Sequence, residues 1–406
     1  MSKFHATCSV LAKRSLGFCL FLTAVSVLLA CLRQPAVAQT YTVIHNFTGE
    51  NDDGANPYAG PTLNSSGDLY GTTYTGGAFG AGSVYELSPS GSGWNYSTLY
   101  SFLGESDGDG PAFGALALYD GALFGTTEGG GYLGVAFKVG MTETGWHEAV
   151  MHSFGHGTDG NEPIGGVVFD QAGNFYGTTL LGGAYGNGTV YQVTPSGVER
   201  VLYSFTGRQD AVNPAATVAL DADGNIYGTT SFGGAYGVGA IYELSPSGST
   251  YSEKVLYSFE GRKDGQNPVG GLILDTAGNL YGGTFDGGIK GGGTVYELSQ
   301  SGGSWSFTLL YSFSGGYGGP YNQLTFDAKE NLYGTTMGEG ANGFGQIFRL
   351  TPNHGAWEFT DLYDFSDGSD GGDPYGGVAV DSHGNIFGTT NIGGSANQGV
   401  MFEITP

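Results

Sequence analysis

The chain has 406 residues, among them 78 glycines, 26 tyrosines and 25 phenylalanines, and only 12% of its residues are charged. So much glycine beside so many aromatics predicts tight turns joining short strands, not disorder. The formal net charge is −24, a field that repels nucleic acid and anionic lipid, so neither is an expected partner.

In chain order, residues 1–38 come first and read as a secretory signal peptide. Lys3, Lys13 and Arg14 make a basic start, and Gly17 to Ala30 is apolar but short for a bilayer span. Pro35-Ala36-Val37-Ala38 then offers a small-x-small cleavage site. Cleavage after Ala38 leaves a mature domain, residues 39–406, with no transmembrane segment. The expected location is secreted, periplasmic or at the cell surface. Leu28-Leu29-Ala30-Cys31 offers the alternative of a lipoprotein acylated on Cys31. All three cysteines (Cys8, Cys19, Cys31) lie in this leader, so the mature chain has no thiol for a disulfide or a metal. The leader holds four basic residues and no acid, so without it the net charge falls from −24 to −28.

From residue 41 onward a Tyr-Gly-Thr-Thr core recurs with drift, starting at Tyr70, Phe124, Tyr176, Tyr227, Tyr281, Tyr333 and Phe387. The intervals are 54, 52, 51, 54, 52 and 54 residues, the mark of a repeat architecture. Four strand-like runs recur in each unit. In the fourth unit they are Ala215 to Leu220, Asn225 to Thr230, Ala240 to Leu244 and Val255 to Phe259. Each is short, β-branched and aromatic, and bounded by turn residues. Asp-x-x-Gly-Asn, as at Asp170 to Asn174 and Asp221 to Asn225, joins the first to the second run. There Asp accepts backbone N–H bonds and Gly takes positive φ. Asp120-Gly121 shortens this to a two-residue hairpin, and Ser-Pro-Ser-Gly joins the third run to the fourth.

Four antiparallel strands per unit of this length match one propeller blade. The expected fold is all-β, a seven-bladed β-propeller of four-stranded antiparallel blades. The last unit stops after its third strand, and Tyr41 to Phe47 is a spare fourth strand at the other end. Pairing the two completes the last blade and protects its edge. The Gly of the core is expected to let the next sheet approach closely.

Gly-Asn-Leu-Tyr-Gly-Gly-Thr at 278–284, a Gly-Gly pair, Gly-Thr-Val-Tyr-Glu-Leu at 293–298 and the Leu-Tyr-Ser-Phe strand form one repeating pattern. It resembles the Gloeo/Verruco tandem repeat, a family of exported bacterial proteins, over essentially all of 41–406. The resemblance implies an exported repeat protein and assigns no residue a catalytic role.

In a propeller, the loops from second to third strand and from fourth strand to next blade emerge on one face. The first set projects Phe79, Tyr132, Tyr185, Tyr236 and Ile289; the second is Asp-Gly-x-Asn-Pro-like, with Asp53, Asp159 and Asp264. As a binding face, the rings would stack on sugars, and the acids would hold Ca²⁺ or a cationic ligand. Asp367, Asp370 and Asp373 form the densest acid cluster and the best candidate for a cation. As turn chemistry, the Asp residues would cap their own loops and no cofactor would be needed. Gly104 to Gly108 spells a nucleophile elbow around Ser106 with no helix to follow it. His45 and His152 occupy a tyrosine slot of the fourth strand and read as packing substitutes.

These features point to a monomeric binding module for a carbohydrate or protein ligand. The alternatives are a lyase or lactonase-type enzyme with a metal at the central mouth, and a structural envelope protein. The mouth would be lined by apolar or small residues such as Ile164, Val269 and Tyr321-Asn322, poor in acid–base groups.

Overall fold

The computed structural model describes residues 39–406, apart from 112, 208–209, 249 and 316–317. The leader, Ala38 and Cys31 lie outside the described residues. Tyr41–Thr405 is one compact unit, and the described residues contain strands and turns without a helix. Seven antiparallel blade sheets follow one another, each ordered first, second, third, fourth strand outward from the axis, as a seven-bladed β-propeller.

The second strands are the hydrophobic spine. Leu69–Thr73, Phe175–Thr179, Ile226–Thr230, Leu280–Thr284, Leu332–Thr336 and Ile386–Thr390 are buried at every position. A strand packed on both faces has no solvent side, so it loses the alternation of an ordinary antiparallel strand.

The ring closes as the sequence predicts. Thr40–Asn46 pairs with Val400–Thr405, which pairs in turn with Ile386–Thr390 and Ala379–Val380. Phe47 N–H donates to Gly399 O at 3.1 Å, and the Tyr41 ring stacks on Tyr363 with centroids 4.0 Å apart.

Three details differ from expectation. The first strands are shorter: Ala219–Leu220 forms a ladder where Ala215 to Leu220 was predicted. Toward the axis, the chain's carbonyls turn to the neighbouring blade instead. Thr178 Oγ1 donates to Ala216 O at 3.0 Å, Thr229 to Gly270 O at 3.0 Å, Thr335 to Gly376 O at 2.8 Å and Thr389 to Ala59 O at 2.8 Å. The first Thr of these cores is therefore a stitch between blades.

The outer hairpins are longer: Ser83–Ser90 and Gly93–Ser101 continue through Ser-Pro-Ser, and only Gly91-Ser92 turns. Pro89 is tolerated because it lies beyond Leu87, the last third-strand residue paired to the second strand. Finally, the Gly of Tyr-Gly-Thr-Thr makes room within its own blade, not for the next sheet. A Cβ on Gly71, Gly177 or Gly228 would strike the ring of Tyr85, Tyr191 or Tyr242, its partner across the ladder.

Candidate binding face

The two predicted loop sets are hydrogen-bonded to one another. Gly54–Ala55 pairs with Thr75–Gly76, and Ala211–Val212 with Phe232–Gly233. Bridges join Asn161 to Leu181, Gln266 to Asp286 and Gly372 to Ile392 in other blades. Each tip is thus carried on a braced pair of loops. Phe79, Tyr132, Tyr185, Tyr236 and Ile289 are 60–68% exposed, the most exposed large apolar side chains on the loops of this face. Tyr132 lies against His156, centroids 5.0 Å apart. The matching turns of blades six and seven carry Asn342 and Ala396.

The aspartates point inward. Asp53 accepts Thr48 N–H at 2.9 Å, Asp159 accepts Gly155 N–H at 3.1 Å and Asp264 accepts Glu260 N–H at 2.8 Å. Each also meets the fourth-strand side chain of the preceding blade: His45 Nε2 at 3.1 Å, His152 Nε2 at 3.1 Å and Tyr257 OH at 2.8 Å. The histidines thus stand in for tyrosine as partners of the cap. Burial alone would raise the Asp53 carboxyl, but the hydrogen bond and charge of His45 and the bonds from Thr48 hold it below the usual range. The elbow-like string at 104–108 is the same cap: Asp107 receives Leu103 N–H and Tyr100 OH at 2.8 and 2.7 Å.

The acid cluster divides its work. Asp370 accepts Ser366 N–H, Ser366 Oγ, Gly368 N–H and Tyr363 OH. Asp367 and Asp373 sit in left-handed turns at φ 57 and 51. Burial, then the charge of Asp367, pushes the Asp373 carboxyl up. Among the described residues, no three of His, Cys, Asp and Glu gather to hold a metal ion.

Around the axis, Tyr58, Phe113, Tyr321 and Tyr375 form a half-buried aromatic cluster with centroid spacings of 4.9–6.1 Å. Blades three to five place Ile164, Ala215 and Val269 opposite. The cavity that Phe113 and Tyr321 line together with them holds about 20 Å³, space for a single water. Beside it, Tyr74 OH donates to Glu128 Oε2 at 3.0 Å. Glu162 takes φ 54 at a position before proline where the other blades have Asn, Gly or, in the seventh, Asp373. Burial and the charge of Glu128 raise the Glu162 carboxyl.

The sequence matches the family described as the Gloeobacter/Verrucomicrobia repeat over residues 34–220, 132–318 and 215–406. The chain belongs to that repeat family. A search of curated proteins finds no match. Among solved structures, it is similar to a protein described as an oxidoreductase (glucose dehydrogenase) from Thermus thermophilus. That match has 14% identity and TM-score 0.44, covering 80% of this chain and 99% of that one. It is also similar to a protein described as a 6-phosphogluconolactonase from Bacteroides uniformis, at 12% identity and TM-score 0.49, covering 77% and 85%. A protein of unknown function from Dyadobacter fermentans matches at 11% identity and TM-score 0.48, covering 91% and 99%. Likeness at this level carries no inference about activity.

Within the repeat family pattern, sequence reasoning missed two groups. One is Glu339. The sixth blade lacks the capping Asp, and Glu339 reaches in from the adjoining loop to accept Ser314 and Gly315 N–H. Lys290, over the Tyr311 ring at 5.8 Å, completes this substitute. The missing acid at 316–320 was the signal; the donor lay in a different loop set.

The other group comprises Glu148, Glu199 and Glu253. They fill a fourth-strand slot that holds Tyr96, Phe307, Phe359 and Tyr41 in the remaining blades. Those four rings stack on His45, Tyr257, Tyr311 and Tyr363 of the preceding blade at 4.0–4.4 Å. The three glutamates each keep one carboxyl oxygen buried without a hydrogen-bond partner. A register count back from Leu-Tyr-Ser-Phe would have found them.

Proposed function

We propose that this protein is an exported binding module whose loop face holds a carbohydrate chain, with no catalytic role. The observation carrying this reading is the row of exposed tips, Phe79, Tyr132, Tyr185, Tyr236 and Ile289, on loops braced by backbone pairing. Flat rings on rigid supports stack on sugar faces with little loss of conformational freedom. The capping aspartates of the same face are occupied with their own turns, so the rings and not these carboxylates meet the ligand. The leader supports export, and the strong negative charge favours neutral or cationic polymers.

The test is a glycan array followed by titration of the best binder. The quadruple variant F79A/Y132A/Y185A/Y236A is expected to lose at least about tenfold in affinity, on the scale of a few stacking contacts. These residues are solvent-exposed, so folding is expected to persist. Undiminished binding by a folded variant, or no glycan bound by the parent, would overturn the reading.

A further inference from the structure

The three glutamates lie at consecutive seams of the ring, between blades one and two, two and three, and three and four. Each faces the aspartate that caps the incoming loop. Around Glu148 stand Asp107 from that loop and Tyr100 from the preceding blade. Around Glu199 stand Asp159, which is held by His152, and the buried Tyr191. Around Glu253 stand Asp210, Tyr203 and the buried Tyr242. The strand neighbours His147, Arg200 and Lys254 alternate to the other side of the sheet. His147 bonds Thr144 Oγ1, and Lys254 lies opposite Glu243. At the first seam, Asp107 Oδ1 and Glu148 Oε1 are both buried and unpartnered.

We propose that Glu148, Glu199 and Glu253 make these three seams a pH-sensitive latch. Protonated, each glutamic acid lets its seam close against the neighbouring aspartate. Ionised, it sets two carboxylates face to face, and the loop held by that aspartate loosens. Burial first, and the facing aspartate second, push each of the three carboxyls up to about 7. The sign follows from linkage. In an open or unfolded chain these groups ionise near 4.5, so closure is favoured most below that value. The advantage drains away between about pH 4.5 and 7 and is gone above.

The aromatic seams have no such group in the slot and act as an internal control. The measurement is hydrogen exchange of the purified chain at several pH values from 5 to 8, corrected for intrinsic rates. Loops 103–111, 155–163 and 210–213 are compared with loop 260–267 in the same sample; loop 366–373 is left out because its own Asp373 carboxyl is raised beside Asp367. Protection of the first set is expected to fall, relative to the second, by about tenfold per seam, after allowance for solvent screening. E148Q/E199Q/E253Q is expected to abolish the difference and to raise the unfolding temperature at pH 8 but not at pH 5. Equal pH trends in both loop sets, or no gain at pH 8 from glutamine, would overturn the latch.

The exchange result needs no ligand. If the binding reading above also holds, the loops carrying Tyr132, Tyr185 and Tyr236 bind more weakly toward pH 8. Failure of that arm alone would fall on the binding reading and leave the latch standing.

Discussion

The seams between blades divide into two arcs. From blade four round to blade one, four seams are closed by stacked rings, with Phe359 on Tyr311 at 4.0 Å as one example. From blade one to blade four, three seams carry a glutamate in the same slot. Backbone and bulge are alike in both arcs, and the cap departs only at Glu339: the register shift between third and fourth strands recurs at Val84/Tyr85, Val190/Tyr191 and Val295/Tyr296. One side chain per blade therefore decides whether the seam is held by dispersion and ring geometry or by a titratable group. The repeat fixes geometry, and this slot is free to vary the chemistry.

Exchanging the two chemistries should have the largest effect. Phe359→Glu removes a ring from Tyr311 and sets a carboxylate in its place. It is expected to cost about 3 kcal/mol at pH 8, and less at pH 5, in denaturant titrations. An equal cost at both pH values would mean that the slot does not sense protonation.

Caps come next. Glu339→Ala leaves the N–H groups of Ser314 and Gly315 without their acceptor and is expected to cost about 2 kcal/mol. Asp264→Ala should cost a similar amount, since both acids do the same work from different loops. The unfolding midpoints of the two variants test that equivalence.

The stitches are smaller. Thr335→Val strips the hydroxyl from Gly376 O, with an expected loss of about 1 kcal/mol. Blade five already has Gly283 at this place, packed against Pro320, so Gly283→Thr is expected to bring no matching gain.

The smallest effect runs the other way. Glu253→Phe would supply a ring for Tyr203 and is expected to stabilise by about 1 kcal/mol at pH 8, flattening the response of its seam. At the acid end both arcs should behave alike. Burial would raise Asp170, Asp221 and Asp327, but hydrogen bonds from the following Asn side chain and backbone and from the second-strand Tyr outweigh it and hold them low. Their contribution is present above the ordinary aspartate value near 3.8 and is lost as pH falls below it. Stability should therefore peak near pH 4.5 to 5, between the two losses, and a thermal scan against pH would show it.

Much of this was legible along the chain. The spacing of Tyr-Gly-Thr-Thr gave the blade count, and the missing fourth strand after Pro406 pointed to Tyr41 to Phe47. Asp120-Gly121, with φ 48 and 72, forms the two-residue turn its letters predict. The exposed tips were also readable, because a bulky residue inside a glycine-rich turn has nothing local to pack on. The direction of the aspartates was not. Asp159 reads equally well as ligand or cap until His152 and Gly155 are seen around it. The tryptophan contacts were not legible either. Trp94, Trp305 and Trp357 reach Phe387, Tyr227 and Tyr281 of the preceding blade, at 5.6–6.1 Å. No periodicity within one blade shows a contact made to another.

The sequence by itself determined what is local and repeated: strands, turns, their number and the closure of the ring. Such features depend on propensity and pattern over a few residues, and seven copies average out the drift. Only the tertiary structure decided what each polar group faces across a seam. The stitch from Thr178 to Ala216, the substitute cap at Glu339 and the glutamate arc all join residues from different blades or loops. Their energies come from burial and from partners that adjacency in the chain does not specify.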